Sequence, residues 1–146
     1  MFDYYLVLGV SFEPYKHLQT AIELIRRRFD IAQISKYYIG PSEDPLIDNQ
    51  FINVAIHLRS KVSVEKLQSD LKTIELAQLY DGVKVVDIDL VLQMNNDQAI
   101  FISDKIHLYC HCLVTLKDIC PLIKYDDQSI FERYNNNPKA SSFIEV

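Results

Sequence analysis

The rhythm of apolar residues along this chain predicts an α+β fold, a ferredoxin-like α/β sandwich with helices packed on a mainly antiparallel sheet. Three observations carry that expectation. Short apolar runs alternate with amphipathic stretches in the order β-α-β-loop-β-α-β-β-α, the pattern of helices layered on one sheet. Glycine and proline number only 3 and 5, so regular elements should dominate over loops. The 146 residues are 49% hydrophobic and 24% charged, enough apolar material for one core and far from the composition of a disordered chain.

Tyr4 to Gly9 form an apolar, aromatic-rich run that reads as a buried strand closed by a glycine turn. Pro14 opens a helix, where its missing N–H costs nothing, and Leu18, Ala21, Ile22, Ile25 and Phe29 recur at helical spacing as its buried stripe. Arg26-Arg27-Arg28 close that helix as solvated surface cations that complement its dipole. Ile31 to Tyr38 predict a second strand. The polar loop that follows, Gly40 to Asn49, is long for a simple connection, and loops of that length tend to be functional. Gln50 to Leu58 predict a third strand, with Ile52, Val54, Ile56 and Leu58 on one face and Phe51, Asn53, Ala55 and His57 on the other. Ser63 is placed to cap a second helix with a Leu67, Leu71 and Ile74 stripe, ending near Tyr80-Asp81-Gly82. Val83 to Gln93 is the strongest strand of the chain. Met94 to Gln98 turn it, and Ala99 to Ser103 pair back. An apolar stretch from His107 to Ile119, helical in its second half, stops at Pro121. From Asp126 the sequence is polar, with an Asn135-Asn136-Asn137-Pro138 run, and predicts a poorly ordered tail. The expected organisation is one domain over residues 1–125 and a polar C-terminal tail over 126–146.

Composition narrows the classes of function. Asp3 stands where a secretory signal would carry basic residues, and the first apolar run ends by Val10, too short to export a chain or span a bilayer. Cytoplasmic residence, with no membrane partner, is the expectation. Three cysteines crowded into one stretch, Cys110, Cys112 and Cys120, suit a reducing compartment better than a disulfide framework. A formal net charge of −5 argues against general nucleic-acid binding, although a metal ion and a few local cations can reverse the field inside one cleft. His107, Cys110, His111, Cys112 and Cys120 are dense enough to hint at zinc. Their spacing matches no standard zinc pattern, and the cysteines read as buried small hydrophobes.

Along Val85-Val86-Asp87-Ile88-Asp89-Leu90-Val91, period two places Asp87 and Asp89 on one face and Val86, Ile88 and Leu90 in the core. Carboxylates roughly 6.6–6.8 Å apart at Cα on a rigid strand repel each other if left bare. A hard divalent cation between them, completed by substrate phosphates, gives the arrangement a purpose. The alternative is a pair of acids on a solvent-facing edge strand.

Asp87-Ile88-Asp89-Leu90 resembles the Asp-Leu-Asp-Ile strand of the 6-hydroxymethyl-7,8-dihydropterin pyrophosphokinase family of the folate pathway. Three further stretches fall in the same order. Tyr5 to Ser11 sits where the family has its first strand ending in Gly-Ser-Asn. Ser35 to Pro41, with Phe51-Ile52-Asn53-Val54-Ala55, is similar to the substrate loop and the aromatic-X-Asn strand after it. Ile74-Glu75-Leu76 is similar to the Ile-Glu that ends the second helix. The likeness covers about residues 4 to 92 well and 99 to 121 poorly.

The resemblance implies transfer of pyrophosphate from ATP to the hydroxymethyl oxygen of a pterin, with release of AMP. It implies that Asp87 and Asp89 bridge two Mg2+ ions, that Phe51 stacks on the pterin, and that Asn53 reads the pterin's polar edge. A flat heterocycle held by an aromatic ring and an amide is also sound on chemical grounds alone. By the same resemblance Glu75 contacts the nucleotide, and Lys84 takes the place of a phosphate-binding arginine, keeping its charge without its bidentate fork. Ile39 stands at the substrate-loop threonine, and His111 at a second stacking aromatic. The departures matter. Where the family has an arginine-rich loop with a tryptophan, this chain has only Leu76 to Val86, with neither residue type. Gly9-Val10-Ser11 replaces Gly-Ser-Asn, and Ile102-Ser103 replaces a Pro-His pair. Three readings follow: an active divergent enzyme, a degenerate member that binds pterin, nucleotide or a protein without turnover, and an unrelated module with an incidental acidic pair.

Overall fold

In the computed structural model, which describes residues 1–11, 14–42, 46 and 49–146 (backbone only at 14 and 15), the described residues form one short 3-10 helix at Ala140–Ser142 and sixteen α-helices and strands. In order they are β1 (Phe2–Val10), α1 (Pro14–Arg26), β2 (Asp30–Ile34), β3 (Tyr38–Pro41), β4 (Gln50–Ser60), α2 (Val64–Leu76), β5 (Leu79–Tyr80), β6 (Val83–Lys84), β7 (Val86–Asn95), β8 (Gln98–Ile102), α3 (Lys105–Leu108), α4 (Cys110–Leu116), β9 (Lys124–Tyr125), β10 (Gln128–Ser129), α5 (Ile130–Asn135) and β11 (Ile144–Glu145). Among the described residues no helix is long and apolar enough to cross a membrane. Of the 40–49 loop expected to be functional, residues 43–45, 47 and 48 lie outside the described set.

The main sheet has the order β11-β3-β4-β1-β7-β8, with β2 also paired to β4, and its pairs are antiparallel. α1 carries the chain from β1 over to β2 and β3, with β4 inserted between. α2 carries it from β4 to β7, with β1 inserted between. These two interlocked split β-α-β units are the ferredoxin-like arrangement that the element order predicts.

Strand alternation builds two cores. Tyr4, Leu6 and Leu8 of β1 and Ile52, Val54, Ile56 and Leu58 of β4 meet the predicted stripes of α1 and α2, together with Val86, Ile88 and Leu90 of β7. On the opposite face Tyr5, Val7, Ala55 and Leu92 pack with Leu113 and Leu116 of α4 and Ile130 of α5. Each such side chain contributes about 1.5–3 kcal/mol on full burial. The sheet is therefore covered by helices on both faces.

Four expectations need correction. The strand expected over 31–38 is broken into β2 and β3. Ser35 sits at the break, its N–H donating to the Ala55 carbonyl at 2.9 Å and its Oγ accepting the Ala55 N–H at 2.8 Å. The second helix, capped by Ser63 as expected, stops at Leu76 rather than near Gly82. Asp81 (φ 51) and Gly82 (φ 76) instead make the two-residue turn of the β5–β6 hairpin, for which an Asp-Gly pair is well suited. The helical segment after β8 begins at Lys105, ahead of His107. The polar C-terminal segment is not a loose tail: β10, α5 and β11 lie within it. Asp126 (φ 50) and Asp127 (φ 67) turn β9 into β10, and Ser129 and Glu132 form a reciprocal capping box on α5. Ile130 is fully buried, and β11 pairs with β3.

β7 is braced from its second edge by a side chain. β8 pairs with it from Leu92 to Asn95. Nearer its start, the buried carboxylate of Glu75, in the last turn of α2, accepts the Ile88 N–H at 2.8 Å.

Two stability predictions follow from this packing. Ile130→Ala should cost about 2–5 kcal/mol in urea unfolding, because it empties a filled core position; a change near zero would mean that α5 does not hold the second core together. Glu75→Ala should cost about 1–3 kcal/mol by leaving the Ile88 N–H unsatisfied. Glu75→Gln, which still offers an acceptor oxygen, should recover most of that loss.

Candidate functional site

Burial decides which way the two carboxylates face. Val86, Ile88 and Leu90 are taken up by the α1/α2 core, so the strand period turns Asp87 and Asp89 to the face that α4 covers. The register then sets their neighbours. Asn53 of β4, Gly9 of β1 and Asp87 of β7 form one row across the sheet; Ala55, Val7 and Asp89 form the next. Gly9 keeps its row open, since a Cβ there would come within 3.0 Å of Asn53 Oδ1. The outcome is a cavity of about 500 Å³ with Val7, Gly9, Asn53, Asp87 and Asp89 along the sheet. Phe51 and His111 line it too, with Lys105 and Tyr109 from the segment after β8 and Pro41 and Ser42 from the end of β3.

Each carboxylate is met by one lysine. Lys84 Nζ lies 2.6 Å from Asp87 Oδ1 and 3.6 Å from Glu75 Oε2, and Lys105 Nζ lies 2.5 Å from Asp89 Oδ1. The hydrogen bond to Asp87 is the main reason the Lys84 ammonium is held above its usual pKa. At Lys105 burial alone would lower the pKa, but the hydrogen bond to Asp89 and the charges of Asp89 and Asp87 together carry it above the usual value. Both lysines are therefore cations at neutral pH, and the acidic pair is balanced within the protein.

Asn53 is only 3% exposed and its Nδ2 amide has no hydrogen-bond partner. A buried donor left unmade costs about 1–3 kcal/mol, and one in a cavity wall calls for an acceptor from a ligand or water. A second cavity of about 300 Å³ adjoins the first through Asp89 and Lys105, and is bounded by Lys72, Glu75, Ser103 and Phe101 among others.

Five of the residues singled out from the sequence thus line one cavity: Phe51, Asn53, Asp87, Asp89 and His111. Glu75 lines the smaller cavity, with its carboxylate engaged by Ile88 N–H and Lys84. Lys84 lines neither and sits beside Asp87. Ile39 stands apart. It pairs with Ile52 and its side chain packs against the α1/α2 core, so it is Pro41 and Ser42 that reach the cavity from that segment. Lys105 was not picked out from the sequence, nor was Gly9 as part of the cavity floor.

Among the described residues no three or more His, Cys, Asp or Glu side chains gather closely enough to hold a metal ion unaided. Two carboxylates suit magnesium, which draws its remaining oxygens from water and phosphate. Cys110, Cys112 and Cys120 are buried, and burial pushes the Cys120 thiol well up, away from the thiolate that zinc would require.

The same fold recurs in known structures. At TM-score 0.79 and 12% identity the chain superposes on a triple mutant of Plasmodium falciparum HPPK-DHPS with SDX-DHP, covering 99% of this chain and 48% of that one. Wild-type P. falciparum HPPK-DHPS with pterin and p-hydroxybenzoate gives 0.77 at 13% identity, covering 99% and 46%. An HPPK-DHPS in complex with substrates gives 0.70 at 15% identity, covering 92% and 45%. The chain spans less than half the length of these neighbours, and at such identities they show the fold. No curated protein matches the sequence significantly. A family profile described as 7,8-dihydro-6-hydroxymethylpterin-pyrophosphokinase (HPPK) matches residues 5–121. The chain belongs to the 7,8-dihydro-6-hydroxymethylpterin-pyrophosphokinase family.

Proposed function

We propose that this chain transfers the pyrophosphoryl group of ATP to 6-hydroxymethyl-7,8-dihydropterin in folate synthesis, in the cytoplasm. The observation that carries this reading is the meeting, in one cavity of about 500 Å³, of the Phe51 ring, the unpartnered Asn53 amide and the Asp87–Asp89 pair. A cavity of that size lies within the range of small-molecule sites. The pterin ring lies against Phe51, with His111 as a second ring, and the Asn53 amide donates to an acceptor on its edge. The nucleoside end of ATP takes the adjoining cavity, where Glu75 stands in the wall, and Lys84 faces the phosphates from beside Asp87.

Asp87 and Asp89 would hold magnesium, which when bound supplies charge neutralisation and alignment for the triphosphate. The hydroxymethyl oxygen forms a bond to the β-phosphorus, the bond from that phosphorus to the oxygen shared with the α-phosphate breaks, and the hydroxyl proton passes to solvent. AMP leaves with the bridging oxygen. Little is asked of side chains beyond holding the two reactants in line.

A second reading keeps the ligands and loses turnover. It is favoured by β5 and β6, a short hairpin without arginine, and by the absence of arginine among the described residues that line either cavity.

The deciding measurement is AMP formed from ATP on adding the pterin with magnesium. Turnover should be present, and lost in Asp87→Ala/Asp89→Ala. A folded wild-type chain that forms no AMP but binds both ligands would support the second reading. Asn53→Leu should weaken pterin binding about ten- to hundredfold in a calorimetric titration. Its melting temperature should stay level or rise, because an unsatisfied buried donor is removed.

A further inference from the structure

We propose that Lys105 is a movable counter-ion of this site: it neutralises Asp89 while no metal is bound, and turns to the polyphosphate when a divalent cation takes its place. This rests on the pyrophosphokinase reading and adds a residue to it.

The position of Lys105 is built by the sheet. β8 pairs with β7 so that Ile102 lies opposite Leu92, Ser103 reaches Val91 one step on, and α3 then starts at Lys105, whose ammonium meets Asp89. Ser103 fixes the end of the register: its N–H donates to the Val91 carbonyl at 2.9 Å, and its Oγ accepts the Lys105 N–H at 3.2 Å. The backbone is thus held while the long side chain, 45% exposed, keeps its freedom. Among the described residues Lys105 is the one lysine or arginine lining the larger cavity, and it also lines the smaller one. Its ammonium stands at the wall the two cavities share.

Charge balance then requires an exchange. The ammonium occupies Asp89 Oδ1 at 2.5 Å. A divalent cation on the same oxygen would face a full positive charge within a few ångströms, a strong repulsion at the dielectric of a half-buried site. Lys105 has to leave as the metal arrives. The triphosphate and the two carboxylates together bring more negative charge than two magnesium ions offset, and a released ammonium at the shared wall has an oxygen to meet on either side. A lysine serves such an oxygen as a point charge with three rotatable donors. Among the described residues no arginine lines either cavity, and Lys105 supplies a phosphate-facing cation in addition to Lys84.

The test compares wild type, Lys105→Gln and Lys105→Arg in the full chain. It reads Mn2+ binding alone by electron paramagnetic resonance, Mg-ATP binding by calorimetry, and the urea midpoint. Lys105→Gln should bind Mn2+ alone about three- to tenfold more tightly, since its competitor is gone. The same variant should bind Mg-ATP about ten- to hundredfold more weakly. Lys105→Arg should keep most of the Mg-ATP affinity. A lysine that merely braced β7 would weaken both ligands and lower the urea midpoint, and that result overturns the proposal. So does unchanged binding of either ligand in Lys105→Gln when wild type binds both. A wild-type chain that binds Mn2+ but no Mg-ATP overturns the pyrophosphokinase reading itself, and the phosphate role of Lys105 with it.

Discussion

Asp87 and Asp89 carry like charge on one face of one strand, and the elements around them are disposed by the need to hold and balance that pair. The strand is clamped three ways. Its other face is buried through Val86, Ile88 and Leu90, one edge is laddered to β1, and the other is held by Glu75 at the Ile88 N–H. The counter-charges come from two separate elements, Lys84 at the end of the β5–β6 hairpin and Lys105 after β8. Both lysines are substantially exposed, at 39% and 45%, so each pair adds little to stability and separates at small cost. Rigid acids with loosely held partners are what the proposed exchange of cations requires, since the backbone need not move.

The cavity above the pair exists because the helices cover the two sheet faces unequally. α1 and α2 cover one face across β1, β4 and β7, and only the smaller cavity reaches that side, along α2. On the other face α4 and α5 cover the end of the sheet marked by Tyr5 and Leu92, and the row of Asn53, Gly9 and Asp87 lies outside that cover. A larger residue than glycine in that row would press on Asn53 and fill the floor. The polar C-terminal segment belongs to the same side: Ile130 anchors the second core, and β11 extends the sheet beside β3.

Much of this was legible in the sequence where burial on one face leaves no choice. The alternation in Val86 to Leu90 and in Ile52 to Leu58 settled which face the acids, Phe51 and Asn53 occupy, and the stripes of α1 and α2 were plain. What escaped depended on register and on turns. Lys105 meets Asp89 only through the β7–β8 pairing, which shifts by one residue between Gln93 and Met94. No periodicity reveals such a bulge. The Asp81-Gly82 hairpin was masked by apolar neighbours that continue a helical pattern. The order of the last twenty residues rests on a capping box and an Asp-Asp turn, both written in polar residues, with few apolar anchors to advertise them. Ile39 was assigned by likeness to a loop position, whereas its pairing with Ile52 commits it to the core.

β1 lies at the middle of the sheet, laddered to β4 on one side and β7 on the other. Its partners are Gln50–Ser60 and Val86–Asn95, so of the three strands that meet there it is the first to leave the ribosome, and its second edge waits for the β7 segment. Until β7 has emerged, one side of an aromatic, apolar strand has no neighbour from its own chain. Pairings of such long sequence separation form slowly, and an unpaired strand edge is open to other chains meanwhile. The strand that supplies the floor of the cavity is thereby also a segment exposed to misassembly during synthesis.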